Sequence, residues 1–149
     1  MTMRSQKSTS GGSVLLEALV GILIFSIGIL ALVAMQAESI RNTSEAKYRN
    51  DASYLANQIV GRMWADRLNL ATYAHQATDG ATPCSPGCAA STNANVTDWL
   101  DDVNRTLPNA DSTKQQIKVG ASNLVTVTIC WQVGSGAPHN LVVSAQIQG

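Results

Sequence analysis

The stretch "SGGSVLLEALVGILIFSIGILALVAMQAE", residues 10–38, decides how this chain is read. From Ala18 to Ala37 it carries no charge. About twenty such residues, at 1.5 Å of rise each, make a helix long enough to cross a hydrocarbon layer of roughly 30 Å. A secretory signal peptide has a shorter apolar region followed by a small-residue cleavage site, whereas this run ends in Met35-Gln36-Ala37-Glu38. Soluble core helices seldom hold so many uncharged residues in a row. The pattern therefore predicts one transmembrane helix. Arg4 and Lys7, in the polar stretch before it, place the N-terminus in the cytoplasm and the remainder of the chain across the membrane.

Glu17 stands immediately before the uncharged run. A carboxylate drawn into the bilayer costs about 2–3 kcal/mol, and less if it reaches the interface. Two readings follow: an interfacial acid without a role, or an acid that meets a cationic partner inside the membrane.

Gly12-Ser13-Val14-Leu15-Leu16-Glu17 resembles the class III signal of the type IV prepilin family. In that family a short basic leader ends in Gly, and prepilin peptidase cuts after it on the cytoplasmic side. The new N-terminal residue is N-methylated, and Glu occupies the fifth mature position. The resemblance implies cleavage between Gly12 and Ser13, N-methylation of Ser13, and an assembly contact at Glu17 with the amine of a neighbouring subunit. Ser13 departs from the Phe usual at that position, which minor members replace. The run Ala18–Leu30 is similar to that of the PilV group of minor pilins, the type IV pilus modification proteins. The likeness covers roughly the first 65 residues, and "LPNA" (107–110) and "VTVTICWQ" (125–132) carry it more weakly. Pseudopilins of type II secretion share the same N-terminus, and a single-pass membrane-anchored periplasmic binding protein is a third reading. Gly21 and Gly28, seven apart, would allow close helix approach, or are ordinary small residues of a membrane helix.

Beyond the membrane segment, Tyr48, Ala52, Leu55, Ile59 and Met63 recur at spacings of four, three, four and four, an amphipathic stripe. With no proline before Pro83, one helix is expected from about Val14 to Arg67. A loop follows from Asn69 to Asn95. Within it lies Cys84-Ser85-Pro86-Gly87-Cys88, where Pro-Gly suits a tight turn that brings the two sulfurs together. In an exported chain a Cys84–Cys88 disulfide is expected, leaving Cys130 as a small buried thiol; pairing of Cys130 with a loop cysteine is the alternative. Val96, Trp99, Leu100, Val103 and Leu107 predict a short helix ended by Pro108. Asp98, Asp101 and Asp102 are read as a solvated acidic face at its start, where the helix dipole favours acids. Strands are expected at 115–119, 124–132 and 140–148, joined by turns at 120–123 and 134–138 into an antiparallel meander.

The expected fold is α+β and type IV pilin-like: a long N-terminal helix on an antiparallel sheet of about three strands. Its parts are a cleaved leader (1–12), a transmembrane and polymerisation helix (13–37), the amphipathic half of that helix (38–67), and an exported head (68–149). Ten basic and ten acidic residues balance, and no basic tract points to a nucleic-acid face. His75, His139 and Cys130 are too scattered for a zinc site, and no phosphate loop or nucleophile motif is present. Neither an enzyme nor a cofactor is expected. The family resemblance instead implies prepilin peptidase, the inner membrane, other minor pilins and the major pilin as partners, with the assembled form on the cell surface.

Overall fold

A run of good helix formers without proline extends far past the membrane-length segment, and the backbone follows it. In the computed structural model, which describes residues 11–77, 83–87 and 89–148, the first helix, α1, runs Gly11–Ala65. Of the expected leader, residues 1–10 lie outside the described residues, as does Cys88. The chain divides into two compact units, one ending at Ser44 and the other Glu45–Gly149.

The first unit is helix alone. Every residue from Gly12 to Thr43 is exposed, and its membrane-length window has none of its residues buried. Leu15, Leu19, Leu23, Phe25 and Leu30 are each about 60–70% exposed. The hydroxyl of Ser26 donates to the carbonyl of Ile22, one turn back, at 2.7 Å, so this polar side chain is satisfied within the helix. The segment is long and apolar enough to cross a membrane.

In the second unit the helix buries one stripe. Ala52, Ala56, Ile59 and Met63 are fully buried and Leu55 nearly so, at the helical spacing expected for a face against a core. After Ala65 the backbone breaks at Asp66 (φ −116°, ψ 41°) and tightens into a 3₁₀ turn over Arg67–Tyr73, itself kinked at Asn69. Helix α2 follows at Ala94–Thr106, its N-terminus capped by the Asn93 side chain, which accepts from the Asn95 N–H; this is the ordinary capping role of Asn. The chain turns extended at Leu107, just before Pro108. Because α2 begins at Ala94, the first turn holds no acid; the expected placement of Asp98, Asp101 and Asp102 at the helix start is corrected. Asp102 lies instead 3.8 Å from the Arg62 guanidinium.

Three strands, β1 (Gln116–Val119), β2 (Leu124–Gln132) and β3 (Pro138–Gln146), form an antiparallel sheet in the order β1-β2-β3. Their alternation gives the sheet one apolar face. Val125, Val127, Ile129, Trp131 and Ile147 are buried, and Leu141, Val143 and Ala145 pack against the same cluster. Sheet, α2 and the α1 stripe therefore share one core. At its centre the Trp99 ring is fully buried and its indole N–H donates to the Leu55 carbonyl at 2.9 Å, tying α2 to α1. The α+β class, the long helix and the three-stranded meander are as expected. The third strand begins and ends two residues earlier, because Ile147 N–H pairs with Asn123 beyond the strand.

Candidate functional site

The sequence directs attention first to the start of α1. Gly12, Ser13 and Glu17 all lie within the helix and are exposed. A Cβ added at Gly12, Gly21 or Gly28 would meet no atom within 4 Å. Nothing within the fold requires glycine at these positions. Glu17 likewise forms no ion pair or side-chain hydrogen bond with any described residue. Glu17 thus stands exposed at the start of an apolar segment none of whose membrane-length window is buried among the described residues. In a medium of low dielectric an unpaired charge is costly and a paired one is tolerated.

The head is organised around a different set of residues. Cys84 is joined to Cys130, 46 positions further along the sequence, with Cα atoms 5.6 Å apart. This corrects the expected Cys84–Cys88 pairing and the reading of Cys130 as a free buried thiol; the bond is the alternative in which Cys130 takes a loop cysteine. The physical reason lies in how the loop docks. Gly87 packs so closely on the Gln76 backbone that a Cβ there would overlap the Gln76 carbonyl. The Gly87 N–H donates to Gln76 Oε1 at 2.8 Å, and the Gln76 N–H donates to the Ala89 carbonyl at 2.6 Å. The glycine thus serves a close approach between two segments rather than a small disulfide ring. With Cys84 in the left-handed region (φ 67°), the loop reaches the face of β2 turned away from the core. There the Gln116 side-chain amide also donates to the Ser85 carbonyl at 2.8 Å.

His75 fastens the same region. Its backbone exchanges two hydrogen bonds with Ile117 (3.0 and 2.9 Å), adding a bridge to the outer edge of β1. In its ring, Nδ1 accepts from the Ser91 N–H at 3.1 Å, which leaves the proton on Nε2 to be donated to the Ser112 carbonyl at 2.9 Å. Both nitrogens are used and the ring is buried, so His75 is a structural staple between three segments. His139 stacks on Trp131, centroids 5.8 Å apart, across the β2–β3 ladder. Among the described residues no three His, Cys, Asp or Glu side chains gather to hold a metal ion.

Two further positions went unnoticed in the sequence. The Gln115 side chain is fully buried and behaves as a piece of strand backbone. Its Oε1 accepts from the Cys130 N–H at 2.7 Å, and its Nε2 donates to the Cys130 and Asp111 carbonyls at 2.9 and 3.1 Å. Two residues further along β2, the Gln132 N–H donates to the Pro108 carbonyl at 3.0 Å. The segment 107–110 therefore covers the β2 edge that the short β1 leaves open. Tyr73 is fully buried at its ring; its hydroxyl accepts from Asn95 Nδ2 at 2.7 Å and donates to Asp66 Oδ2 at 3.2 Å. Burial pushes its pKa above the ordinary tyrosine value.

Scanned against protein-family models, curated proteins and solved structures, the chain matches none.

Proposed function

We propose that this chain is a minor type IV pilin of the PilV kind. Prepilin peptidase cuts the precursor between Gly12 and Ser13, and the new amine at Ser13 is methylated. Residues 13–37 hold the protein in the inner membrane until it joins other minor pilins and the major pilin, in the pilus or at its tip. There it contributes to the start of assembly and to motility or adhesion. One observation carries the reading: Glu17, fifth from the proposed cut, heads an apolar segment of α1 whose membrane-length window has no residue buried among the described residues. Apolar residues on every side suit lipid first and a bundle of neighbouring helices later. Glu17 would then neutralise the Ser13 amine of an adjacent, axially staggered subunit and so fix helix register.

Mass spectrometry of the mature chain from cells with active prepilin peptidase tests this. The expected product lacks Met1–Gly12 and begins at a methylated Ser13; an intact leader overturns the proposal. Glu17→Ala is expected to leave cleavage intact and to lower recovery of the protein in sheared filaments, whereas normal recovery would remove the charge-pair mechanism. Loss of twitching rather than of protein secretion on deletion separates the pilus from a type II secretion system.

A further inference from the structure

Beside the hydrogen bond from Trp99 to the Leu55 carbonyl, α1 and α2 leave a groove of about 410 Å³ between them. Asp51, Tyr54, Leu55 and Gln58 of α1 form one wall, and Asp102 and Thr106 of α2 form the other. Each set shares one helix face, at spacings of three or four residues. Both walls belong to the second unit.

The walls carry an excess of acceptors. They hold a carboxylate from each helix and no Lys, Arg or His. Asp51 has no ion pair or side-chain hydrogen bond among the described residues. Asp102 meets only Arg62, at 3.8 Å, which is too long for a hydrogen bond. The Arg62 guanidinium donates instead to the Asn95 carbonyl at 3.0 Å. The decisive atom is Gln58 Oε1. Among the described residues it is the buried side-chain oxygen or nitrogen that has no hydrogen-bond partner. Native folds leave few such groups, because a buried acceptor without a donor is destabilising. Two further walls are apolar or aromatic: Leu55 is almost fully buried, and Tyr54 is 69% exposed.

We propose that this groove receives an arginine side chain from a partner protein. A guanidinium is donor only, with its N–H groups in one plane, and it pairs with carboxylates through two bonds at a time. Here it faces carboxylates from two helices and gives the Gln58 oxygen its missing donor. Its aliphatic stem packs on Leu55, and its flat face stacks on the Tyr54 ring. A lysine ammonium uses the carboxylates but lacks the planar fork and the stacking. An exposed ion pair by itself contributes little, so the arginine serves as one anchor of a wider contact. Tyr54 supports a protein as its source: a large amphipathic ring left on the surface is the kind of residue that protein interfaces cover. This inference does not depend on leader processing or on the pilin reading.

The test uses the full isotopically labelled chain in detergent and N-acetylarginine amide as the probe. N-acetyllysine amide and the neutral, near-isosteric N-acetylcitrulline amide serve as comparisons. The arginine amide should shift the backbone amide resonances of residues 51–58 and 102–106 saturably, the lysine amide more weakly, and the citrulline amide not at all. Asp51→Asn combined with Asp102→Asn should weaken the arginine amide about five-fold or more. Gln58→Leu should weaken it as well, while the urea midpoint holds or rises, because an unpaired buried acceptor gives way to an apolar group of similar size. A fall in that midpoint would show that the amide serves the fold and would overturn the inference. So would the absence of saturable shifts, equal shifts with the citrulline amide, or shifts that survive the double aspartate variant. Tighter binding of spermidine than of the arginine amide would also overturn it, and would give the groove to a free polyamine.

Discussion

One helix passes through both units of this protein and is treated in opposite ways by its surroundings. In the first unit, Leu23, Phe25 and Leu30 are more than half exposed; in the second, Leu55, Ile59 and Met63 are buried. The residue types hardly differ. What differs is their distribution around the helix: apolar on every side before Ala37, and confined to one stripe after Tyr48. An all-round apolar helix has to find its partner outside the chain, in lipid or in other helices, whereas a striped one finds it in its own sheet. The difference teaches that the two halves are stabilised by separate means, and substitutions should separate them.

The largest expected effect is at Trp99. Its replacement by Ala removes a fully buried ring and the hydrogen bond to Leu55, and should cost about 3–5 kcal/mol. Urea unfolding of the full chain in detergent, followed by near-ultraviolet circular dichroism, measures it. Phe25→Ala in the same assay should leave the head within about 0.5 kcal/mol of the parent; a comparable loss at both positions would break the comparison. Reduction of the disulfide, or Cys130→Ser, comes next. For a closure spanning 46 residues, chain entropy gives about 4 kcal/mol, against about 2 for the five-residue ring first expected. Peptide mapping under non-reducing conditions checks the pairing itself.

Gln115→Leu should cost about 1–3 kcal/mol, because it leaves the Cys130 N–H and C=O buried without partners. Its shape is nearly conserved, so the same assay reads the hydrogen bonds rather than a cavity. The smallest effect is at Asp111. Its carboxylate accepts from the Thr113 N–H and hydroxyl at 2.9 and 2.8 Å, and these bonds hold its pKa below the ordinary 3.8. A depressed pKa contributes stability that is present above the unfolded value and lost as pH falls through the folded one. The group is exposed, so solvent screening keeps the gain under about 0.5 kcal/mol. Asp111→Asn should therefore lower stability near neutrality by under about 0.5 kcal/mol and flatten the decline below pH 3.8, the two chains converging at low pH; urea midpoints measured across pH check it.

Much of the head was legible because its elements obey local rules. The stripe from Tyr48 to Met63 and the alternation from Val125 to Trp131 are periodicities that a single element displays by itself. The Pro108 stop was equally local. α2 starts ahead of its first apolar residue, Val96, because Asn93 and Ala94 carry no apolar periodicity, only a cap. The disulfide departs from its local signal for a deeper reason. Pro86-Gly87 suits a tight turn, and proximity in sequence favours Cys84–Cys88. The close approach of Gly87 to Gln76 is a contact between distant segments, and no local pattern announces it. Gln115 was passed over for the same reason: a glutamine before a strand looks like surface until a buried strand edge is set beside it.

The sequence by itself therefore determined the two characters of the long helix, the order of the strands and which strand faces are apolar. Each follows from periodicity and composition, which are properties of one segment and need no partner. The tertiary structure alone decided the Cys84–Cys130 bond, the His75 staple and the substitution of Gln115 for missing strand backbone. It also decided that the His75 backbone bridges the outer edge of β1. These depend on which unsatisfied groups the packed elements leave near one another, and that is fixed only when the elements meet.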